Sequence, residues 1–449
     1  MTTPAPAPPP AGHEHRFERP PRPLLRPRDV LHDTSRVAVT AGIVGWTFAA
    51  TGPVAIILAE AGRGGLSDAE VSSWIFGVFV LNGLLTIAAS WLYRMPLAFY
   101  WTIPGTVVVG TALTHRRWSE ILGVFLVSGL VMLGLGLTGR VRTAMAWLPM
   151  PIVMAMVAGV FLRFGLGLVT SLNELPSVAV PMAAAYLLLA SAPRVGHVVP
   201  PVLGALLVGT VAVAVGGGMP SLTGSQWLVQ PVVRAPELTA GSLLDLVVPL
   251  VITVLVVQNG QGLAVLSAAG HPPPMNVVTV ACGGMSLLSA VVGAISTCLT
   301  GPTNALLVES GERRRQYVGA LVNGVLALAF GLLAPVSVRL MLGMPAAFVA
   351  ALAGLAMLPA LRGAFVTAFS GRFGFGSLAC FLVTVAGIAV LGISSAFWGL
   401  VAGIAVAWFM DRADLRAHLA AMRGAGPRAG EPGGAKAGDV RHGDTQSDP

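Results

Sequence analysis

Long apolar runs recur along the chain between residue 37 and residue 410, separated by short connections. Many of them approach the roughly 20 residues that an α-helix needs to cross the hydrocarbon core of a bilayer. The pattern predicts about fourteen membrane segments, over residues 37–60, 71–92, 97–114, 120–138, 148–169, 177–192, 199–216, 241–266, 275–293, 295–308, 316–334, 337–358, 361–390 with a break near Phe373, and 394–410. We therefore expect an all-α membrane protein embedded in the lipid bilayer.

A polar stretch over residues 217–240 divides these segments into seven and seven. Because seven is odd, the second half enters the bilayer from the opposite face, so two repeats of this kind would be inverted. The predicted organisation is a disordered cytoplasmic tail (1–36), a first repeat (37–216), an extracytoplasmic linker (217–240), a second, inverted repeat (241–410) and a disordered cytoplasmic tail (411–449).

Composition agrees with this class and orients the chain. Hydrophobic residues make up 55% of the sequence and charged residues only 10%, which excludes an ordinary soluble domain. The net charge of +8 comes from cations in tails and connections, so it indicates orientation in an inner, plasma membrane and no nucleic-acid partner. With both termini cytoplasmic, all but six of the 27 Lys and Arg residues lie inside, as the positive-inside rule requires. The cluster His115-Arg116-Arg117 violates that rule.

Cysteine and histidine usage points away from metal or covalent chemistry. The three cysteines lie within apolar stretches without paired or metal-ligand spacing, and the eight histidines are scattered in tails and loops. We expect no metal site, no cofactor and no enzyme active site, since a nucleophile and base in mutual reach are not indicated.

The third and tenth segments are the shortest, and both are interrupted by proline and glycine. Pro104 and Pro302 are 198 residues apart at corresponding places in the two halves, and Met150-Pro151 in the fifth segment is echoed by Met344-Pro345 in the twelfth. Short, Pro/Gly-interrupted segments at matching positions indicate discontinuous helices around a transporter's binding site. Ordinary kinking of membrane helices is the alternative interpretation of each break taken alone.

A half-helix that begins at such a proline directs its positive end and free N–H groups towards the break, where an anion can bind. The middle of the bundle contains no Asp or Glu, which argues against a cation site. The predicted substrate-binding residues are Thr51, Trp101, Thr102, Gly105, Thr106, Gln258, Asn259, Thr300, Thr303 and Asn304. Among them, the amides of Gly105, Thr106, Thr303 and Asn304 are expected to hold the anionic group.

Two features of the sequence each allow two interpretations. Gln258 and Asn259 can recognise cargo or serve as interhelical hydrogen-bonding groups. Arg163, well inside the fifth segment, can counter a substrate carboxylate or extend to the membrane interface.

Several motifs in order resemble the benzoate:proton symporter family of the BenE type. They are Ser73-Trp74, Tyr93-Arg94-Met95-Pro96 leading into Trp101-Thr102-Ile103-Pro104-Gly105, Gln258-Asn259 followed by Gly262-Leu263-Ala264-Val265-Leu266, and Ala396-Phe397-Trp398-Gly399-Leu400. The resemblance implies the uracil-permease-like fold of seven plus seven inverted spans. In that fold a core domain (spans one to four and eight to eleven) moves against a gate domain (spans five to seven and twelve to fourteen). It also implies proton-coupled uptake of benzoate or a related aromatic carboxylate by alternating access, often as a homodimer.

The tenth segment departs from that family, because Ser296 to Asn304 replaces its usual Gly-, His- and Asn-containing run. A nucleobase or inorganic-anion transporter of the same fold therefore stays an alternative, although neutral Gln258 stands where nucleobase permeases carry an acid. An anion channel could use the same helix ends. The residues themselves suit a uniporter, an exchanger or a symporter, and only the resemblance favours symport.

Overall fold

The computed structural model describes residues 17–21, 25–141, 149–191, 201–216, 226–308, 312–388 and 395–424. This part of the chain is predominantly helical. The helices of its first half are α1 (Pro27–Asp33), α2 (Arg36–Ala50), α3 (Gly52–Arg63), α4 (Asp68–Phe76), α5 (Asn82–Tyr93), α6 (Ile103–Ala112), α7 (Trp118–Thr138), α8 (Met150–Glu174), α9 (Pro176–Ser191) and α10 (Pro201–Val215).

The second half continues with α11 (Ala240–Ile252), α12 (Gly260–Ala268), α13 (Met275–Val291), α14 (Gly301–Val308), α15 (Gln316–Leu332), α16 (Ala334–Leu342), α17 (Ala346–Phe369), α18 (Gly374–Ala386), α19 (Ser395–Met410) and α20 (Arg412–Gly424). Two short strands, β1 (Phe99–Trp101) and β2 (Thr297–Leu299), precede α6 and α14. Turns of π-helix at Gly77–Leu81 and Thr253–Asn259 join α4 to α5 and α11 to α12.

Seven continuous helical stretches of the described chain are long and apolar enough to cross a membrane, or eight if α19 and α20, bent by 100°, form one span. Five shorter apolar helices, α6, α9, α10, α13 and α18, accompany them. Large apolar side chains such as Leu188 and Val211 are exposed on the outer helices, as lipid contact requires. The protein is therefore a multi-pass helical membrane protein, and the total of fourteen segments stays a prediction.

The helices pack in two groups. In the first helix group, α2 and α5 pack against α15, α7 packs against α11 and α13, and α12 packs against α14. In the second helix group, α8 packs against α17 and α18, α9 against α10, and α18 against α19. The first group contains the segments expected for a core domain and the second those expected for a gate domain. The groups meet where α3 packs on α17 and α6 packs on α8.

The strands β1 and β2 pair with each other in the centre of the first helix group. They are antiparallel, with Phe99 opposite Leu299, Tyr100 opposite Cys298 and Trp101 opposite Thr297. Tyr100 and Cys298 are separated by the same 198 residues as Pro104 and Pro302. The two interrupted segments therefore meet at equivalent residues in opposite directions, which is the arrangement that inverted repeats produce.

Hydroxyl side chains of neighbouring helices form hydrogen bonds with the backbone groups at the outer edges of this strand pair. Thr86 Oγ1 accepts a hydrogen bond from Phe99 N (2.8 Å) and donates one to Phe99 O (3.3 Å). Ser286 Oγ accepts from Thr297 N (2.9 Å). Since unpaired backbone groups are costly away from water, these hydroxyls make the two extended segments tolerable inside a membrane.

The structure corrects the predicted twelfth and thirteenth segments. The stretch predicted over 337–358 is divided between the short helix α16 and the first half of α17, and α17 runs without a break through Pro359 to Phe369. The break near Phe373 lies between α17 and α18, where Phe373 has a left-handed φ of 62°. Consequently Met150-Pro151 forms the first two residues of α8 and Met344-Pro345 immediately precedes α17, so the echo of the two repeats falls at helix starts.

Parts of the predicted disordered tails are folded. Within the N-terminal tail α1 forms, and the Glu18 carboxylate accepts hydrogen bonds from Asn276 N (3.1 Å) and Val277 N (3.3 Å) at the start of α13. Such capping satisfies amides that the helix itself leaves free. In the C-terminal tail α20 forms, and Asp411 accepts from Gly376 N (2.7 Å). Residues 1–16 and 425–449, the outer parts of both tails, lie outside the described residues.

Nearby carboxylates account for the cationic cluster that violates the orientation rule. His115 Nε2 and Arg116 Nε lie 3.3 and 3.7 Å from Oδ2 of Asp245, which is fully buried. Arg117 pairs with Glu237, in the predicted linker. The cluster therefore lies beside acids of the linker and the second half, and the third segment need not be reoriented to explain it.

Gly262 allows α12 to approach β2 closely, which generates a prediction. A Cβ atom at this position would lie 2.7 Å from the carbonyl oxygen of Leu299. Because that neighbour is backbone, Gly262→Ala should displace β2 and destabilise the protein by about 1–3 kcal/mol. We expect a lower melting temperature in detergent for Gly262→Ala.

In the control Gly284→Ala, where a Cβ atom would meet nothing within 4 Å, the melting temperature should stay unchanged or rise slightly. Equal melting temperatures of Gly262→Ala and the wild type would contradict the close packing.

Candidate functional site

A cavity of about 340 Å³ lies between the two helix groups. The first group contributes Phe48, Ile103, Pro104, Val257, Gln258, Gln261 and Pro302, and the second contributes Met154, Val157, Phe161, Ala356, Met357, Pro359, Ala360, Gly363, Ala364 and Thr367. We call this space the central cavity. Its volume falls in the range of small-molecule sites, and its wall is mostly apolar. Gly363 and Thr367 are exposed, so the cavity reaches the protein surface along the C-terminal half of α17.

The polar groups of the central cavity are few and lie on the first helix group. Gln258 is buried in the π-helical turn before α12, and Gln261 follows one turn later. Pro104 and Pro302 place the first turns of α6 and α14 against the same space. Two helix N-termini therefore border one cavity, as the proline spacing predicted, and their dipoles favour a negative charge there.

Hydrogen bonds within the chain already occupy three of the four amides expected to hold an anion. Gly105 N donates to Thr102 Oγ1 (3.1 Å), Thr106 N to Thr102 O (2.9 Å) and Asn304 N to Thr300 O (3.3 Å). At the start of α6, Thr102 acts as the N-cap. The helix ends therefore act on the cavity mainly through their dipoles and less through these particular N–H groups.

Three other predicted residues converge beside the central cavity. Trp101, Thr300 and Thr303 line a void of about 10 Å³ that shares Phe48 and Ile103 with it. Trp101 is buried, and its indole Nε1 has no hydrogen-bond partner among the described residues. The void is about large enough for one water molecule, which could accept a hydrogen bond from this indole.

The side chains of the remaining predicted residues form hydrogen bonds with backbone groups and do not line the central cavity. Asn304 accepts from Ala98 N (3.1 Å) and donates to Ala98 O (3.1 Å) and Thr300 O (2.6 Å). Asn259 Oδ1 accepts from Leu299 N (2.7 Å). The hydroxyls of Thr51 and Thr106 donate to backbone oxygens one turn earlier in their own segments. These contacts favour the interhelical interpretation of Asn259, and a direct contact of any of the four with cargo stays a prediction.

Sequence reasoning missed the contribution of the second helix group to the central cavity. Its wall of Met154, Val157 and Phe161 on α8 faces Ala356 and Met357 on α17. Apolar side chains of this kind occur throughout the sequence, so their type carried no signal. The one available signal was the Met-Pro echo at the starts of these two helices, which placed them at equivalent positions.

A second cavity of about 370 Å³ lies farther along α6 and α8. Its polar lining comprises Arg63, Thr111, Thr114, Arg163, Thr384 and Ser395. Arg163 forms an ion pair with Glu60 in this structure. It therefore neither extends to the membrane interface nor is left unpaired for a substrate carboxylate. Glu60 is the last residue of the predicted first segment, 37–60, and it is buried with 1% of its surface exposed.

Comparison with known proteins identifies relatives that cover most of the chain. Residues 32–409 match the model of the BenE family, described as benzoate membrane transport protein. The inner membrane protein YdcO of Escherichia coli (strain K12) is 30% identical over 355 residues, which cover 78% of this chain and 89% of that protein. The benzoate membrane transport protein of Acinetobacter baylyi is 28% identical over 383 residues, covering 84% and 96%.

Solved structures show the same fold at low sequence identity. The transmembrane domain of a cyanobacterium bicarbonate transporter, BicA, superposes with a TM-score of 0.57 and 16% identity, over 82% of this chain and 97% of that one. The murine anion transporter Slc26a9 in its inward-facing state gives a TM-score of 0.56 and 12% identity, over 82% and 67%. These matches confirm the expected class of fold. The family match over residues 32–409 confirms the expectation of a transporter instead of an enzyme.

The position of Asn304 generates a second prediction. Replacing Asn304 by Ala leaves the buried N–H of Ala98 without its partner, whereas the Ala98 carbonyl still accepts a hydrogen bond from Thr300 N (3.2 Å). Each unsatisfied buried group costs about 1–3 kcal/mol, so Asn304→Ala should insert into the membrane but melt at a lower temperature. Thr170→Ala is the matched control, because the exposed Thr170 hydroxyl donates only to Leu166 O in its own helix. If Asn304→Ala melts like the wild type and loses only transport, Asn304 belongs to the cargo site and not to the strand support.

Proposed function

Because this chain belongs to the benzoate membrane transport protein family, we propose that it carries a small organic anion, benzoate or a related aromatic carboxylate, by proton symport with alternating access. The observation that supports this most directly is the central cavity. It combines an apolar wall with two helix N-termini and two glutamine side chains, at the junction of two separately packed helix groups.

The cavity suits the two chemically different parts of an aromatic carboxylate. Phe48, Phe161 and Met357 offer an apolar, aromatic surface for a ring. The first turns of α6 and α14 favour negative charge, and the amides of Gln258 and Gln261 can donate hydrogen bonds to carboxylate oxygens. A buried amide that lacks a partner is unfavourable, so cargo would complete the hydrogen bonding of Gln258.

Alternating access follows from the division of the cavity wall. The helix ends and glutamines lie on the first group, whereas α8 and α17 supply the apolar wall of the second group. Movement of one group against the other would open the cavity to each side of the membrane in turn. The proposed boundaries of the two repeats, 37–216 and 241–410, rest on the polar stretch over residues 217–240 that divides the segments.

The remaining proposals concern the environment of the chain. We place it in the inner, plasma membrane with both termini cytoplasmic, as the distribution of Lys and Arg favours, and its relative from Escherichia coli is an inner membrane protein. We retain the homodimer that the family resemblance implied. With cytoplasmic termini, the exposed C-terminal half of α17 lies near the cytoplasmic face, so the central cavity opens inwards in this state.

Uptake by the purified protein tests the cargo. Proteoliposomes should accumulate radiolabelled benzoate, and an inward proton gradient should increase the accumulation. The competitors are an unlabelled aromatic carboxylate, a nucleobase and bicarbonate. If benzoate neither accumulates nor competes under any gradient while bicarbonate does, the cargo is an inorganic anion that uses the helix ends alone.

Gln258→Ala tests the proposed binding site in the same assay. Loss of a hydrogen bond to a charged group corresponds to about 1.5–3 kcal/mol, so the KM for benzoate should rise about ten-fold or more, with normal insertion. The control is Gln230→Ala, because Gln230 is exposed in the connection before α11. Uptake by Gln258→Ala with the wild-type KM would remove Gln258 from the site.

A further inference from the structure

Arg163 joins the two helix groups through its guanidinium group. It projects from α8, and its Nη2 donates to a carboxylate oxygen of Glu60 on α3 and to Val107 O on α6 (2.9 Å). Its Nη1 donates to Thr111 Oγ1 on α6 (3.0 Å). One side chain of the second group is therefore bound to two helices of the first.

Glu60 is held tightly against α6. A Cβ atom at Gly110 would lie 1.9 Å from Glu60 Oε2, so the carboxylate occupies space that only a glycine leaves free. That oxygen is buried and accepts no hydrogen bond from the described residues, although Arg63 Nη1 lies 3.7 Å away. Among the ion pairs within the described residues, Glu60–Arg163 is the one that connects the two groups.

This ion pair lies at the junction of the two cavities. Pro104 of α6 lines the central cavity, and Thr111 of the same helix lines the second cavity seven residues later, a rise of about 10 Å. On α8, Val157 faces the central cavity and Arg163 the second. Between these two positions of α6, the guanidinium group of Arg163 binds Val107 O, so it joins α8 to α6 between the two cavities.

We propose that the Glu60–Arg163 pair is the gate between the second cavity and the central cavity, and that Glu60 binds a proton when this gate opens. The inference rests on the proposed alternating-access function, because it assumes that α8 moves relative to α3 and α6. In the state described here the pair is formed and the gate is closed.

The proton follows from the charges around Glu60. The cationic groups that act on its carboxylate are Arg163 and, from its own helix, Arg63. Separation of the groups removes Arg163 and leaves a buried carboxylate beside Gly110 with only the more distant, half-exposed Arg63. Ionised groups are strongly disfavoured without a close partner, so a proton from the second cavity would attach to a Glu60 oxygen and return to solution when the pair reforms.

The same step would prepare the second cavity for an anion. Once Glu60 is protonated, Arg63 and Arg163 both face that cavity without a neutralising carboxylate. Two guanidinium groups attract a carboxylate and can bind it in a bidentate manner. Protonation of one acid thus links proton binding to entry of one anion from this side, without an acid inside the central cavity.

Accessibility of the central cavity tests this gate without any cargo. Val157 is buried and lines the central cavity, so Val157→Cys can report its opening. A membrane-impermeant maleimide is applied to right-side-out and to inside-out vesicles, at about pH 5 and about pH 7.5, a range that begins near the ordinary pKa of a carboxyl. The chain without the Val157→Cys change gives the background from its three buried native cysteines.

From the side of the second cavity, labelling should be about ten-fold or more faster at the lower pH, because protonation favours the open gate. Glu60→Gln, which cannot ionise, should label fast at both pH values. The matched control is Glu70→Gln, because Glu70 pairs with Arg234 (2.9 Å) within the first group and its linker and should leave the pH dependence intact. If Glu60→Gln fails to insert, Arg163→Gln removes the same pair from the other side and should also label fast at both pH values.

Labelling that is independent of pH in the otherwise wild-type chain, or that keeps its pH dependence in Glu60→Gln, would overturn the proposal. The outcome is separable from that of the proposed cargo. Absence of benzoate uptake together with Glu60-dependent labelling would remove only the cargo, and normal benzoate uptake with pH-independent labelling would remove only the gate.

Discussion

The structure depends on how two interrupted membrane segments satisfy their backbone groups. An extended stretch inside a bilayer exposes N–H and C=O groups that lipid cannot pair, so it persists only where protein supplies every partner. Here β1 and β2 pair with each other, and side chains such as Thr86, Asn259 and Asn304 pair their remaining groups. Antiparallel pairing at equivalent residues is possible because the two repeats run in opposite directions.

This constraint explains why so many polar residues lie in the first helix group and so few in the central cavity. Asn304 and Ser286 look like binding chemistry in a hydrophobic sequence, yet both pair with backbone of the strand segments. Because these side chains pair with the strand segments, the main polar features of the central cavity are Gln258, Gln261 and two helix ends. A mostly apolar site of this kind selects for an anion that also carries an apolar body.

The contact between the helix groups combines apolar packing with one ion pair. Most of it is apolar packing of α3 on α17 and α6 on α8, which is non-directional and tolerates sliding. The Glu60–Arg163 pair adds one directional, charged contact to that boundary. A buried ion pair contributes little net stability and is costly to break on one side only, which makes it better suited to specifying a state than to holding the fold together.

The sequence by itself determined the class of the protein, because apolar runs of membrane length and the bias of Lys and Arg depend on local composition alone. It also located the interrupted segments, since proline and glycine recur at matching positions of the two shortest apolar segments. The tertiary structure alone decided which side chains face the cavity. Gln258 and Asn259 are neighbours of similar chemistry, but one lines the cavity and the other binds Leu299, because successive side chains of a helical turn point in different directions. The pairing of Glu60 with Arg163, 103 residues apart, was likewise set by the packing of α3, α6 and α8, which no local pattern encodes.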